Sequence, residues 1–182
     1  MPLTASFGIL VVALYAIVAI FAPIIAPFGE REIVDAEYLP WDETYLLGTD
    51  NLGRDMLSRL VYGAQNTVGI AFLTTGIAFV AGAIPGLLAA TLGGWVDQAL
   101  SRFVDVLMAI PPLIFALLLL TIVGTSITNM IIVIALIEAT RVYRLARAVA
   151  GGVVVMDYIE AAKLRGEGLV WLIGREILPN TT

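Results

Sequence analysis

Long apolar runs alternate along this chain with shorter polar stretches, and the runs have the length that crosses a bilayer. Residues 7–27 are almost uninterrupted Ile, Val, Leu and Ala, with Pro23 and Pro27 at the far end, where a helix is cheaply broken. Further runs occupy residues 67–92, 104–123 and 130–147, so the pattern predicts an all-α, polytopic helical membrane protein with four transmembrane helices. The intervening segments are a polar loop at 28–66, a short connector at 93–105, a tight turn at 124–129 and a polar, charged tail at 148–180. No Lys or Arg precedes the first run, which is also too long for the core of a signal peptide; it reads as an uncleaved span.

The runs differ in character. The first is plain anchor. The second is rich in small residues, among them Gly69, Gly76, Gly82, Gly86 and Ala90. Gly82 and Gly86 form a small-xxx-small pair that lets helix backbones touch, so this helix is expected to pack in a bundle. Pro85 within it removes one ladder bond and is expected to kink it. The third run is interrupted near its entry by Ile110-Pro111-Pro112, either a helix start or a break facing a pathway. The fourth continues into Arg141, Arg144 and Arg147, a stripe that anionic lipid head groups would hold. Glu138 near its end is an interfacial ion-pair partner for Arg141 or Arg144, or a functional carboxylate.

Two polar stretches carry local signals. In the loop at 28–66, Leu47-Gly48-Thr49-Asp50-Asn51-Leu52-Gly53-Arg54-Asp55 leads into a stretch with Leu52, Met56, Leu57, Leu60 and Val61 on one side. Asp50 or Asn51 is positioned to cap that helix, which by itself reads as an interfacial one. A phosphate cradle is excluded here: the stretch has neither the lysine nor the strand context of a P-loop. In the tail, Asp157 is placed to cap a helix, and Glu160 three residues on would complete a capping box. Glu160 and Lys163 lie on one side of it; Tyr158, Ala161, Ala162 and Leu164 make the other. Gly166 stops it as a C′ glycine. Leu169, Val170, Leu172 and Ile173 then resume at helical spacing, and Pro179 marks a new start or a bend.

Composition supports the membrane class: the chain is 60% hydrophobic and 14% charged, with a mean hydropathy of +0.97. Its net charge of −5 argues against a nucleic-acid partner. With no Cys and no His, disulfides, thiolate or histidine metal sites and Ser-His or Cys-His nucleophile pairs are all excluded. No two aspartates share a span, so intramembrane aspartyl chemistry is disfavoured too, and no catalytic residue is expected. The loop at 28–66 is acidic, with Arg31, Arg54 and Arg59 as its cations; Arg141, Arg144, Arg147, Lys163, Arg165 and Arg175 crowd the C-terminal end. The positive-inside rule therefore places the tail in the cytoplasm, and four crossings return the N-terminus there as well.

Glu160-Ala161-Ala162, then Gly166, then Leu178-Pro179 resemble, in type and spacing, the EAA loop of bacterial ABC-importer permeases. The pattern Gly48-Thr49-Asp50, Gly53-Arg54-Asp55, Ser58-Arg59 is similar to a signature of the dipeptide and oligopeptide branch, specifically its second membrane subunit. The resemblance implies a type I ABC-importer permease bundle in the bacterial inner membrane. It assigns residues 148–180 as the cytoplasmic coupling loop and 28–66 as a periplasmic loop. Carried over residue by residue, Glu160, Ala161, Ala162 and Gly166 would be the ATPase contact and its turn, and Leu178 and Pro179 would lead into the next span. Glu167 departs from the pattern, standing where a small residue is usual. The implied partners are ABC ATPase subunits, a homologous second permease, an extracytoplasmic substrate-binding protein and the lipid bilayer. ATP and magnesium would be bound by the ATPase, leaving this chain without a cofactor. The resemblance also calls for two further spans after Leu178-Pro179, so the chain is expected to be a permease truncated after its EAA loop. The rival reading is a self-sufficient channel or ion-coupled transporter, which needs ionisable groups at mid-span; the runs here are nearly free of them.

Overall fold

A computed structural model describes residues 3–181, and its regular structure is helical: α1 (Leu3–Ile20), α2 (Ala22–Ile25), α3 (Met56–Leu92), α4 (Gly94–Ala109), α5 (Pro112–Val123), α6 (Ile127–Val154), α7 (Asp157–Leu164) and α8 (Leu169–Trp171). A π turn, Leu172–Ile177, and a 3-10 turn, Leu178–Asn180, follow. The chain divides into two compact units at Phe72/Leu73, and α3 contributes to both.

In the first unit the expected 7–27 span is α1 followed by α2, with the break at Phe21. Pro23 has no amide to continue the ladder, and it is accommodated in the first turn of α2. Apart from Ala19, the side chains of α1 are exposed or half-exposed, as suits a helix whose surroundings are lipid. The loop that follows has no regular element beyond one bridge between Thr49 and Asp55, yet it is closely knit. The Phe28 and Tyr45 rings stand 5.8 Å apart, and the Phe28 amide donates to the Ser58 hydroxyl at 3.1 Å. The cap of α3 is Asp55, not Asp50 or Asn51. Its carboxylate accepts from the Ser58 amide at 2.7 Å and the Ser58 hydroxyl at 2.6 Å, while Asp50 is committed to the loop.

In the second unit α3 lies against α6 at Gly82 and Gly86. A Cβ built on Gly82 would fall 2.7 Å from the Val142 Cβ and 2.9 Å from the Tyr143 amide nitrogen; one on Gly86 would fall 2.7 Å from the Tyr143 carbonyl oxygen. Hydrogen there replaces side chain, and backbone meets backbone. Leu87 of α3, Ala150 and Val153 of α6, Ile159 of α7 and Ile177 form one apolar cluster; Ala89, Val104 and Tyr143 form another.

The connector expected at 93–105 is instead helix α4. Gly93 and Gly94, with φ of +61° and +57°, make the turn after α3, and the helix then runs for 16 residues. Leu100 and Val104 pack on the apolar side while Asp97, Ser101 and Asp105 occupy another, so polarity that reads as a loop is one face of an amphipathic helix. The break at Ile110-Pro111-Pro112 is an elbow: α4 and α5 are bent by 90°. Pro111 and Pro112 offer no amides to the last carbonyls of α4, and Ile110, preceding a proline, is extended at φ −89°, ψ 129°. Among the described residues α1 and α3 are each long and apolar enough to cross a membrane, or three spans if the bent pair α4–α5 counts as one. The fourth expected span falls on α6, which has 28 residues but carries Glu138, Arg141, Arg144 and Arg147.

Candidate functional site

The residues singled out in the tail meet on α7 and its turn. The helix begins at Asp157 itself, with Met156 at the N-cap and no side-chain cap, so the expected capping box is not formed. Asp157 and Glu160 are instead the acidic residues of the first turn, where carboxylates favour the exposed amides and the positive end of the helix dipole. The stop at Gly166 has the two bonds of a Schellman motif: its own amide donates to the Lys163 carbonyl at 2.9 Å, and the Glu167 amide to that of Ala162 at 3.2 Å. The turn requires φ +82° at Gly166, and a Cβ there would meet nothing within 4 Å, so glycine serves conformation rather than packing.

The helix is seated by one face and free on the other. Ile159 and Ala162 are 0% exposed. Ala162, expected at a partner contact together with its neighbours, is covered within the chain: it lies at i+3 from Ile159, which packs against Ala150, Val153 and Ile177. Tyr158, Glu160, Ala161, Lys163 and Leu164 remain on the open side, Leu164 at 84% exposure. Val170 of α8 adds another bare apolar side chain, at 86%. Helical spacing therefore resumes at Leu169 as expected, but over three residues before it widens into the π turn. Leu178 and the half-buried Thr181 line a groove with Phe79, Ala83 and Val142.

The loop residues Gly48, Thr49, Asp50, Gly53, Arg54 and Asp55 are brought together as one knot. The Thr49 hydroxyl donates to the Ala36 carbonyl at 2.7 Å and accepts from the Leu39 amide at 2.8 Å. Asp50 accepts from the amides of Leu52 and Arg54 at 2.8 and 3.0 Å, from the Arg54 Nε at 2.8 Å and from Arg59 at 2.5 Å. Gly48 and Gly53, at φ +74° and +70°, sit where a Cβ would run into the carbonyls of Leu39 and Asp35. Five of the six are used inside the loop and Asp55 at its junction with α3, so what the arrangement does chemically is hold a shape.

Burial by itself would raise the Asp50 pKa, but the Arg54 and Leu52 amides and the Arg54 guanidinium outweigh it and hold the carboxyl well below the usual carboxylate range. A carboxyl with a depressed folded pKa contributes stability above its unfolded value, about 3.9, and loses it as pH falls through the folded one. Amide exchange at Leu52 and Arg54, corrected for intrinsic rates, should stay slow from neutral pH down to about pH 4 and loosen below it. Asp50→Asn should loosen both amides already at pH 7; equal protection in the two proteins would refute the role given to Asp50.

The pairing of the α6 charges with carboxylates of α4 has no signal in the sequence around either partner. Arg141, Arg144 and Arg147 each face a carboxylate within the chain. Arg141 donates to both oxygens of Glu138 at 2.9 and 3.0 Å, Arg144 stands 4.0 Å from Asp105, and Arg147 grips Asp97, one of its two bonds measuring 2.6 Å. Glu138 thus takes the ion-pair alternative, with Arg141 as its partner.

Residues 78–182 match the family described as the binding-protein-dependent transport system inner membrane component. The chain is 33% identical over 183 residues to a dipeptide transport system permease protein of Haemophilus influenzae, covering 97% of this chain and 62% of that protein. It is 33% identical over 180 residues to a di/tripeptide transport system permease protein of Pseudomonas aeruginosa, covering 95% of this chain and 59% of the relative. A peptide transport system permease protein of Escherichia coli is 31% identical over 186 residues, with 98% and 63% covered. The chain thus spans about three fifths of the length of these relatives.

Proposed function

The chain belongs to the family of binding-protein-dependent transport system inner membrane components, and from that premise we propose that it is the transmembrane permease subunit of an ATP-driven importer of di- or oligopeptides. The observation that carries the reading is α7. A short helix with Ile159 and Ala162 buried, Ile159 packed against Leu87 of α3 and Ala150 and Val153 of α6, leaves Tyr158, Glu160, Ala161 and Leu164 uncovered, and a glycine stop fixes where the chain leaves it. That is the form of a docking lever: one face to receive a partner, the other to pass its displacement into the bundle.

The partner that fits is an ATPase subunit on the cytoplasmic side, toward which the basic C-terminal end of the chain would face. ATP binding there would draw α7 along with the ATPase and rock the bundle between inward-open and outward-open states, with the differential contacts located at α7. A homologous second permease would complete the pore, and an extracytoplasmic binding protein would deliver cargo to the side bearing the Gly48–Asp55 knot. The printed names of the relatives support peptide as the cargo class. This chain contributes no catalytic group; hydrolysis would belong to the ATPase.

Gentle extraction of the tagged full-length protein from its native membrane, followed by mass spectrometry of what comes with it, tests this directly. An ATPase and a second permease should co-purify, and the chain alone would overturn the reading. Residues 1–182 hold no cysteine, so an Ala161→Cys variant adds the first thiol to this stretch, on the open face of α7, and a short cross-linker there should capture the ATPase, with the parent protein as the control.

A further inference from the structure

We propose that Asp97 and Arg147 are a positioning pair that clamps α4 to α6, so that the two helices move as one body and carry a displacement of α7 to the α4–α5 elbow; this rests on the importer reading above. Of the three arginine pairs on α6, Arg147–Asp97 is the one that joins two helices by a two-pronged contact. Arg147 donates through Nε and through Nη2 to the two oxygens of Asp97, the second at 2.6 Å. A fork on a carboxylate fixes orientation as well as distance. The Asp97 side chain is 22% exposed and that of Arg147 43%, so the pair closes the rim of the seam with its carboxylate turned inward.

The clamp is continued along the same seam. Ser101, one turn after Asp97, donates to the Asp97 Oδ1 at 3.3 Å and bonds the buried Tyr143 hydroxyl at 3.0 Å. Asp105, one turn further, stands opposite Arg144. Residues 97, 101 and 105 therefore make a polar rail on α4 against residues 143, 144 and 147 of α6. Apolar packing, as at Val104 and Tyr143, holds two helices together but resists sliding weakly; a forked ion pair and a hydroxyl bond set the register.

Position gives the clamp its consequence. Arg147 stands one helical turn from Ala150, which with Val153 lies in the same apolar cluster as Ile159 of α7. On the other side, α4 ends in the 90° bend at Ile110 and Pro111, beyond which α5 begins. A push on α7 reaches Arg147 through a single turn of α6, passes to α4 at Asp97, and arrives at the elbow, the place where the helical ladder is already broken.

The test uses the full-length complex in lipid vesicles, reading peptide uptake and ATP hydrolysis together. Asp97→Asn and Arg147→Gln should each lower uptake per ATP hydrolysed by about tenfold while the ATPase remains bound. A merely structural role would lower assembly, hydrolysis and uptake together and leave their ratio unchanged, which would overturn the proposal. In a second measurement that leaves the ion pair in place, Ser101→Cys and Tyr143→Cys are bridged by a short, reducible thiol cross-linker. Bridged complexes should take up peptide as fast as the same variant unbridged. A block that reductant relieves would show that α4 and α6 slide past each other, and would sink the clamp. A wild-type chain that recruits no ATPase would instead count against the importer reading, independently of the ratio.

Discussion

A Gly82→Leu variant should lose the packing of α3 on α6, and with it most of the protein recoverable in folded form from the membrane. At this position the new side chain would start from a Cβ that meets the Ala139 carbonyl and lies 2.7 Å from the Val142 Cβ and 2.9 Å from the Tyr143 amide. Two of those three neighbours are backbone atoms of α6, which cannot swing aside as a side-chain tip can. Overpacking a well-filled interior costs about 1–3 kcal/mol where side chains can adjust, and more where the backbone must separate. Against the total of about 5–15 kcal/mol that holds a domain together, this is a large fraction. Gly86→Leu should behave similarly, with the Tyr143 carbonyl and Ala146 in the way at 2.7 and 3.0 Å. Gly76 is the internal control, since a Cβ there meets nothing within 4 Å; Gly76→Leu should stay within about 0.5 kcal/mol of the parent. Thermal aggregation of the detergent-solubilised protein, together with its level in the membrane, reads all three. A Gly82→Leu protein as stable as the Gly76→Leu one would mean that α3 and α6 do not meet as described.

Much of this was legible where the signal is local. The spacing of Gly82 and Gly86, the double proline at 111–112 and the glycine after α7 each act through the few residues around them, and each marks a contact, an elbow or a stop in the structure. What could not be read is what depends on partners far along the chain. Arg147 meets Asp97 across fifty positions, and nothing in either neighbourhood announces the other. Arg147 therefore read as one member of a stripe and Asp97 as a polar residue in a connector, when the two join α4 to α6. The caps failed for a related reason. Asp50, Asn51 and Asp55 are equivalent as short polar residues before a helix, and what separates them is that Arg54 and Arg59 take up Asp50. Ala162 failed because a face of small residues does not say which side of it is inside; Ile159, three residues earlier, decides.

Gly166→Pro should reduce uptake by the complete importer about tenfold or more while leaving the chain inserted in its membrane. The turn at this residue needs φ +82°, and a pyrrolidine ring holds φ near −65°, on the opposite side of the map. The substitution also removes the amide that donates to the Lys163 carbonyl at 2.9 Å, so the Schellman motif loses one of its two bonds. Chain direction after α7 would change, and Leu169 and Val170 would no longer leave the helix where they do. Insertion depends on the apolar runs that precede this turn, and those are untouched. Gly166→Ala separates conformation from bonding: it keeps the amide, meets no neighbour within 4 Å, and bears the left-handed penalty of about 1–2 kcal/mol alone. Uptake should fall in the order glycine, alanine, proline. Glu160→Lys probes the same lever from its open face. Glu160 is exposed and makes no ion pair among the described contacts, so reversing its charge disturbs the fold little and falls on whatever docks there. Uptake lost with the fold intact places the fault at the contact. Wild-type transport by either Gly166→Pro or Glu160→Lys, with the ATPase still bound, would remove α7 from the coupling mechanism and leave it a packing element of the bundle.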